Sequence, residues 1–364
     1  MPGIYISWPF CAQKCTYCNF ASGVLPRELE GAYFAALKAE IAATEWPWRP
    51  ETVYLGGGTP STMDPGQLAD LLSLLPGAPW AEATIEAAPG SLTAEKARAW
   101  RAAGINRVSL GVQSFIDVEL RRTGRKHDAA TVASDVELLR GAGLANVSID
   151  LIAGLPGQTA EGWAESLAWV RRLDVPHASV YILEVDDDSR LGREMLLGGV
   201  RYGAADVPGE ADIVRFYEEA VAGLGLARYE ISNFARPGFE SLHNLKYWRR
   251  EPYFGFGADA HSFDGRVRWQ NAETAGEYVA RFERGESPRV EESEAIAEEE
   301  RWFVGLRLSE GVEPTPEDWD RHGSVLRRFL EEGMLENHGP RVRLTARGIL
   351  LSNEVFEEFL APCP

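Results

Sequence analysis

The feature that most narrows what this chain can fold into is a recurrence. A short apolar strand, a polar or glycine-rich turn and an amphipathic helix follow one another from Ile4 to Ile231. The strands are Ile4-Tyr5-Ile6, Thr52–Leu55, Ala83–Ala87, Arg107–Gly111, Asn146–Ile152, His177–Leu183 and Arg228–Ile231. Helical patterns run from Pro26 to Trp46, then over Pro65–Leu75, Thr93–Ala103, Ala129–Gly141, Thr159–Leu173 and Asp206–Gly223. In the first of them Leu29, Tyr33, Phe34, Leu37 and Ile41 share one face. Parallel strands need long crossovers, and a helix is the compact way to make one, so the pattern predicts an α/β fold with a parallel sheet. Polar residues and glycines collect at the C-terminal ends of the strands, where a barrel builds its site. We therefore expect a partial (β/α)6 TIM-like barrel, with a flat doubly wound sheet as the alternative.

Past Val290 the pattern changes. Glu292–Leu308 reads as a charged amphipathic helix and Pro314–Glu332 as two short helices. Met334–Asn337 and Arg341–Leu344 flank Gly339-Pro340 as a hairpin, and Thr345 caps a last helix to Phe359. Helices followed by a small β-wing suggest a winged-helix-like module, so the expected domains are 1–289 and 290–364. The formal net charge of −18 disfavours general nucleic-acid binding, which wants a basic face, and favours a lid or packing role for this module. No apolar run approaches the roughly 20 residues of a membrane helix. The N-terminus enters a strand directly, without a charged-then-apolar leader, so the expected location is cytoplasmic.

Three of the four cysteines, Cys11, Cys15 and Cys18, crowd one loop after the first strand; the fourth, Cys363, is in the C-terminal tail. Thiolates are soft ligands, and tight cysteine loops hold iron–sulfur clusters. A 4Fe-4S cube offered three thiolates keeps one iron open to a non-protein ligand. A structural zinc site usually pairs two Cys/His clusters, and the closest histidine in sequence is His127. Zinc, a disulfide and inert core thiols remain as alternatives.

Further polar residues sit where strands end. Gly56-Gly57-Gly58-Thr59-Pro60 follows the second strand, and its backbone can approach a ligand closely and offer N–H groups. Glu86, Gln113 and Asp150 interrupt apolar strands, where a buried carboxylate needs a partner. Arg125 is one candidate partner, or a bidentate grip for an anion.

The Cys-x3-Cys-x2-Cys spacing resembles the radical S-adenosylmethionine (SAM) superfamily. With Gly57-Gly58-Thr59, Glu86, Gly111-Val112-Gln113, Gly124-Arg125 and the run from Ile149 to Thr159, almost the whole chain resembles the radical-SAM coproporphyrinogen dehydrogenase group. That resemblance implies a cluster on Cys11, Cys15 and Cys18 whose open iron chelates SAM. It also implies SAM contacts from Tyr5, Tyr17, Gly57, Gly58, Thr59, Glu86, Gln113, Arg125 and Asp150.

Two branches of the group are distinguishable. The oxidase branch has a further cysteine where Phe20 stands and a long arm before the cysteine loop, whereas ten residues precede Cys11 here. Both features resemble the haem chaperone branch, HemW type, as does His243-Asn244-Leu245-Lys246-Tyr247-Trp248, a match to its haem-binding motif. On a helix His243 and Tyr247 fall one turn apart, and both residue types ligate haem iron. Trp248 suits stacking on a porphyrin, and Lys246, Arg249 and Arg250 suit its propionates. The chain departs from the family at Ser7-Trp8, usually His-Ile, and at Asn19, commonly Asp in the chaperone branch. His261 follows the family pattern without an assigned role, and no catalytic residue is assigned. The resemblance implies a haem-binding chaperone that passes haem to an acceptor protein. The runner-up is an oxygen-independent coproporphyrinogen III dehydrogenase, and the third reading a radical-SAM enzyme of unrelated substrate. Oligomeric state is open, a homodimer included.

Overall fold

A computed structural model describes residues 2–187 and 189–360, apart from the side chains of 298 and 299. Six strands form a parallel block: β1 (Gly3–Trp8), β2 (Thr52–Gly57), β3 (Glu82–Ala87), β4 (Arg107–Gln113), β5 (Asn146–Ala153) and β6 (His177–Ile182). Crossover helices join them: α1 (Arg27–Ala43), α2 (Pro65–Ser73), α3 (Ala94–Ala102), α4 (Asp117–Arg122) with α5 (Ala129–Gly141), and α6 (Ala160–Leu173). Their starts are chemically marked. Asp64, Thr93, Asp128 and Thr159 each accept N–H bonds from the first turn of α2, α3, α5 and α6.

Alternation along each strand sorts its side chains. Ile4, Ile6, Val53, Leu55, Ile85, Val108, Leu110, Ile149 and Val180 are buried in the core that the helices cover. The intervening positions are polar and share the opposite face, as the bonds Tyr54–Glu86, Ser109–Asp150 and Ser148–His177 require. Burial raises the Tyr54 hydroxyl on β2, and Glu86, Asp150 and Tyr181 of β6 add to the rise. Four strands apart, Tyr54 and Tyr181 would be about 19 Å distant in a flat sheet. The sheet therefore curls around a polar lumen, and further strands added beyond β1 on one side and beyond β6 on the other leave the barrel partial.

The seventh expected strand is different from its prediction. After α7 (Arg190–Leu196) and α8 (Glu210–Gly223), only β7 (Ala227–Arg228) forms, antiparallel to β8 (Asn233–Ala235), itself antiparallel to β6. Ser232 N–H and the Asn233 amide donate to the Glu230 carboxylate, closing a turn where a strand was expected. A seventh parallel strand, β9 (Tyr253–Phe256), pairs instead with the other side of β1, beyond α9 (Leu242–Trp248).

β10 (His261–Phe263), β11 (Val267–Asn271) and, after α10 (Ala275–Glu283), β12 (Arg289–Glu294) extend that side antiparallel. Part of the helix expected over Glu292–Leu308 is thus strand: β12 is fully exposed and held by pairing with β11 and by Arg266–Glu294. α11 (Ala297–Gly305) starts after it. The two helices expected next are one, α12 (Pro316–Glu331), opened by a capping box of Thr315 and Asp318. The expected hairpin is present as β13 (Leu335–His338) and β14 (Arg341–Leu344), followed by α13 (Ala346–Leu350) and α14 (Ser352–Glu357). Cys363 lies outside the described residues.

Candidate functional site

The loop carrying the three thiols leaves the end of β1 and is pinned on several sides. Cys11 N–H donates to Gly23 O at 2.8 Å, and Gly23 N–H to Pro9 O at 2.9 Å. Thr16 N–H reaches Thr123 O, Leu191 N–H of α7 reaches Thr16 O, and the Gln13 amide reaches Gly124 O. Cys11, Cys15 and Cys18 are free and half-buried. Burial pushes the Cys18 thiol up, as do Cys15 and Cys11, while the Phe20 N–H and Lys14 oppose them. The three sulfurs therefore share one electrostatic neighbourhood. Among the described residues no three His, Cys, Asp or Glu side chains are grouped closely enough to hold one metal ion. A single zinc would need its sulfurs about 3.8 Å apart, since Zn–S is about 2.3 Å. Three soft donors on one loop suit a multi-iron cluster, and the donor set fits one.

The glycine triplet serves the loop first. Gly58 N–H donates to Trp8 O at 2.8 Å and Thr59 N–H to Phe10 O at 3.0 Å, so neither is spare for a ligand as the sequence suggested. A Cβ at Gly58 would come within 2.7 Å of the Pro9 carbonyl carbon. Gly57, at φ 105°, has its N–H near enough to the Glu86 carboxyl to oppose its rise.

Glu86 is the hub of the strand-end residues. It accepts from Tyr54 OH at 2.9 Å. Burial lifts its carboxyl to about 7, Asp150 adding to the rise while Tyr54, Gly57 and Arg107 oppose it. With Tyr5, Ser7, Phe20, Ala21, Ser22, Gly57 and Asp259 it lines a cleft of about 120 Å³. Pockets that enclose small molecules start at about 300 Å³, so this cleft takes part of such a ligand.

Across the strand ends, Gln113 sits at a β-bulge with φ 70°. The absent Cβ of Gly111 makes room for the Gln113 amide and the Arg125 guanidinium, 3.1 and 3.6 Å from where it would be. Arg125 donates to Tyr17 OH at 3.3 Å, and its Nε is buried without a partner. A buried guanidinium with an unspent donor fits an anionic ligand group. Asp150 on β5, opposite Gly111, accepts from Ser109 and Ser148; burial raises its carboxyl, against those serines, Ser179 and Arg107. Tyr5, Gly57 and Glu86 are thus brought together, Tyr17 with Arg125 and Gln113, and Asp150 with Ser109 and Ser148.

The His243 motif occupies the other end of the lumen. α9 starts at Ser241, and its first N–H groups, Leu242 and His243, donate to the carboxylate of Glu82 at the base of β3. His243 is fully buried. Its Nδ1 is 2.9 Å from Thr52 Oγ1, its Nε2 2.8 Å from Tyr247 OH, and its ring stacks on Tyr54 at 5.3 Å. Both nitrogens are committed, so iron ligation by His243 would require α9 to leave the lumen. Trp248 carries the Arg307 guanidinium 4.5 Å from its ring centroid. The basic island is neutralised. Lys246 pairs with Glu51 and Glu251, Arg249 with Glu310 and Arg250 with Glu300, because the acidic chain supplies a carboxylate beside each.

Sequence reasoning passed over three lumen residues. Tyr54 joins Glu86 to His243, and Asp259 lines the cleft. Arg107 is fully buried, with Nε unpartnered and Glu82, Tyr229, Tyr54 and Asp150 around it. The period-two pattern of Arg107-Val108-Ser109-Leu110 carried the signal: two polar residues alternating inward in an otherwise apolar strand.

Comparison with known proteins places this geometry. The family profile described as the Radical SAM superfamily matches residues 5–170. The chain is 36% identical to "Heme chaperone HemW" of Bacillus subtilis (strain 168), covering 99% of each chain. It is 32% identical to the protein of the same name from Escherichia coli (strain K12), covering 98% of each. Among solved structures, the radical SAM coproporphyrinogen III oxidase HemN of Escherichia coli aligns with a TM-score of 0.83 at 22% identity. That alignment covers 98% of this chain and 89% of HemN, and it speaks for the fold.

Proposed function

The chain belongs to the HemW family of radical SAM proteins, and from that premise we propose that it binds haem and hands it to an acceptor protein. The observation that carries the reading is the match of 99% of its length to a relative named as a haem chaperone, at 36% identity. One local feature agrees with it, Phe20 standing where the oxidase branch has a cysteine; Ser7, lining the cleft where the family usually has histidine, is a departure that weakens the case for decarboxylation.

In this reading Cys11, Cys15 and Cys18 hold a 4Fe-4S cluster, and SAM sits against Tyr5, Tyr17, Gly57, Gly58, Thr59, Glu86, Gln113, Arg125 and Asp150. The cluster would supply the open iron that chelates SAM and, when reduced, the electron that cleaves it. Arg125 is suited to a carboxylate through its unspent Nε, and the lifted Glu86 carboxyl can hold or release a proton near neutral pH. Gly58 keeps the loop seated. His243 and Tyr247 brace the floor of the lumen, with Trp248 at its flank. Domain roles follow: the barrel unit, with β12 paired to its β11 edge, carries the sites, and α11 to α14 pack against it. No described helix is long and apolar enough to cross a membrane.

Titrating the anaerobically reconstituted protein with haem should shift the haem Soret band at stoichiometric ratio; no shift would sink the chaperone reading. The dehydrogenase alternative is decided in the same preparation. Reduced cluster, SAM and coproporphyrinogen III yielding protoporphyrinogen would establish it.

A further inference from the structure

The C-terminal module meets the barrel at the tail of α9, the helix that carries His243, Tyr247 and Trp248. Arg249 reaches Glu310 at 3.5 Å and Arg250 reaches Glu300 at 3.1 Å, so two ion pairs hold that tail against α11 and the segment after it. Lys246 is spent on Glu51 and Glu251. The cations next to the motif in sequence are therefore paired, and an anionic ligand would have to displace a protein carboxylate to use them.

Arg307, between Glu300 and Glu310 in the chain, is different. Among the described residues its guanidinium forms no ion pair, and its Nε is buried without a hydrogen-bond partner. Its Cζ lies 4.5 Å from the Trp248 ring centroid and 5.7 Å from that of Phe356. The indole Nε1 of Trp248 is likewise buried and unpartnered. Burial lowers the Arg307 pKa, while the charges of Glu230 and Glu184 oppose that. Glu230 is itself occupied, its carboxylate taking the Ser232 N–H and the Asn233 amide. Buried donors in a finished fold nearly always find an acceptor, so two orphans side by side mark the place of one that the chain does not supply.

The backbone that presents Arg307 is fixed on both sides. Leu306 and Leu308 are buried, and Leu308 bridges antiparallel to Glu230. Ser309 N–H donates to Tyr229 O at 2.9 Å and its hydroxyl to Arg228 O at 3.1 Å. A rigid mount thus holds a long cationic side chain over the indole of the haem motif. Haem is a flat apolar ring carrying two propionate carboxylates. An aromatic face suits the ring, and a guanidinium fork matches a carboxylate better than any other side chain does.

We propose that Arg307 is a propionate-binding residue of the haem site, gripping one carboxylate while the macrocycle lies against Trp248. The assignment rests on the haem-binding reading above and adds to the motif on α9 a cation from the C-terminal module. The test titrates the full-length reconstituted protein with ferric haem and with haem dimethyl ester, whose propionates are masked, and follows the Soret band. The parent should prefer haem about tenfold or more, the worth of one charge-assisted hydrogen bond. Arg307→Met keeps an apolar stem over Trp248 and should erase that preference, weakening haem while binding the ester as the parent does. Arg307→Lys, which keeps the charge without the fork, should fall between the two. A purely structural role would weaken haem and ester alike in Arg307→Met, and that result overturns the assignment. So does a preference that survives in Arg307→Met and disappears in Arg249→Met or Arg250→Met. A parent that takes haem and its ester equally well overturns it whichever variants fold, and leaves the chaperone reading intact. A parent protein that leaves the Soret band unshifted overturns both.

Discussion

Replacing His243 with alanine should damage the fold before it touches any ligand. The side chain is fully buried, and its loss resembles a large-to-small change in a packed core, which costs about 3–5 kcal/mol for an aromatic ring. Thr52 and Tyr247 would each lose a hydroxyl partner, about 1 kcal/mol apiece, partly offset if water enters the gap. About 4 kcal/mol is therefore expected at pH 8. The cost should also depend on pH. Burial, with Lys246 and Arg107 adding to it, lowers the imidazole to about 3 in the fold. An unfolded histidine takes up its proton below about 6.5. The unfolded chain then binds the extra proton, so the parent's stability from this group is complete above about pH 6.5 and drains as pH falls toward 3. At pH 5 that amounts to about 2 kcal/mol lost by the parent and not by the alanine variant. Urea unfolding of the apoprotein, followed by tryptophan fluorescence, should give a gap of about 4 kcal/mol at pH 8 narrowing to about 2 at pH 5. A variant within about 1 kcal/mol of the parent at pH 8, or a gap that fails to narrow, would refute the sealed-floor account. Haem loss in His243→Ala is then a folding effect unless stability is measured alongside.

Three other outcomes are expected. Gly58→Ala should abolish cluster assembly on anaerobic reconstitution, because its Cβ would press on the Pro9 carbonyl and move the cysteine loop; normal iron and sulfide content would contradict this. Glu86→Gln should stabilise the apoprotein above pH 7 and leave it unchanged below pH 4.5. The lifted parent carboxyl resists ionising in the fold while the unfolded one ionises freely, a difference of about 3 kcal/mol between those limits, readable as urea midpoints at pH 8 and 4.5. Thr315→Ala removes half of a capping box and should cost about 1 kcal/mol in unfolding stability, leaving haem titrations as they were.

Much of this protein is written in local chemistry. Period-two strands, capped helices and the crossovers between them determine a parallel sheet, since each element's face is set by its own residues. The loop of Cys11, Cys15 and Cys18 and the Gly57-Gly58-Thr59 turn were legible for the same reason: their spacing is short and their chemistry distinctive. The errors fell where neighbours decide. Arg228–Ile231 looked like a strand until Glu230 gathered Ser232 and Asn233 into a turn, and Glu292–Glu294 read as helix because pairing with β11 is a long-range contact.

The tertiary structure alone decided what each functional candidate faces. Helical spacing put His243 and Tyr247 on one side of α9, but only packing showed that this side seals the lumen against Thr52 and Tyr54. Lys246, Arg249 and Arg250 count as positive charge in a sequence, yet carboxylates from Glu51, Glu251, Glu310 and Glu300 meet them in the fold. His261, by contrast, stays exposed at the start of β10, with its Nδ1 on the Asp259 carbonyl. Which polar groups are spent and which remain available is a property of contacts between distant segments, and residue order does not contain it.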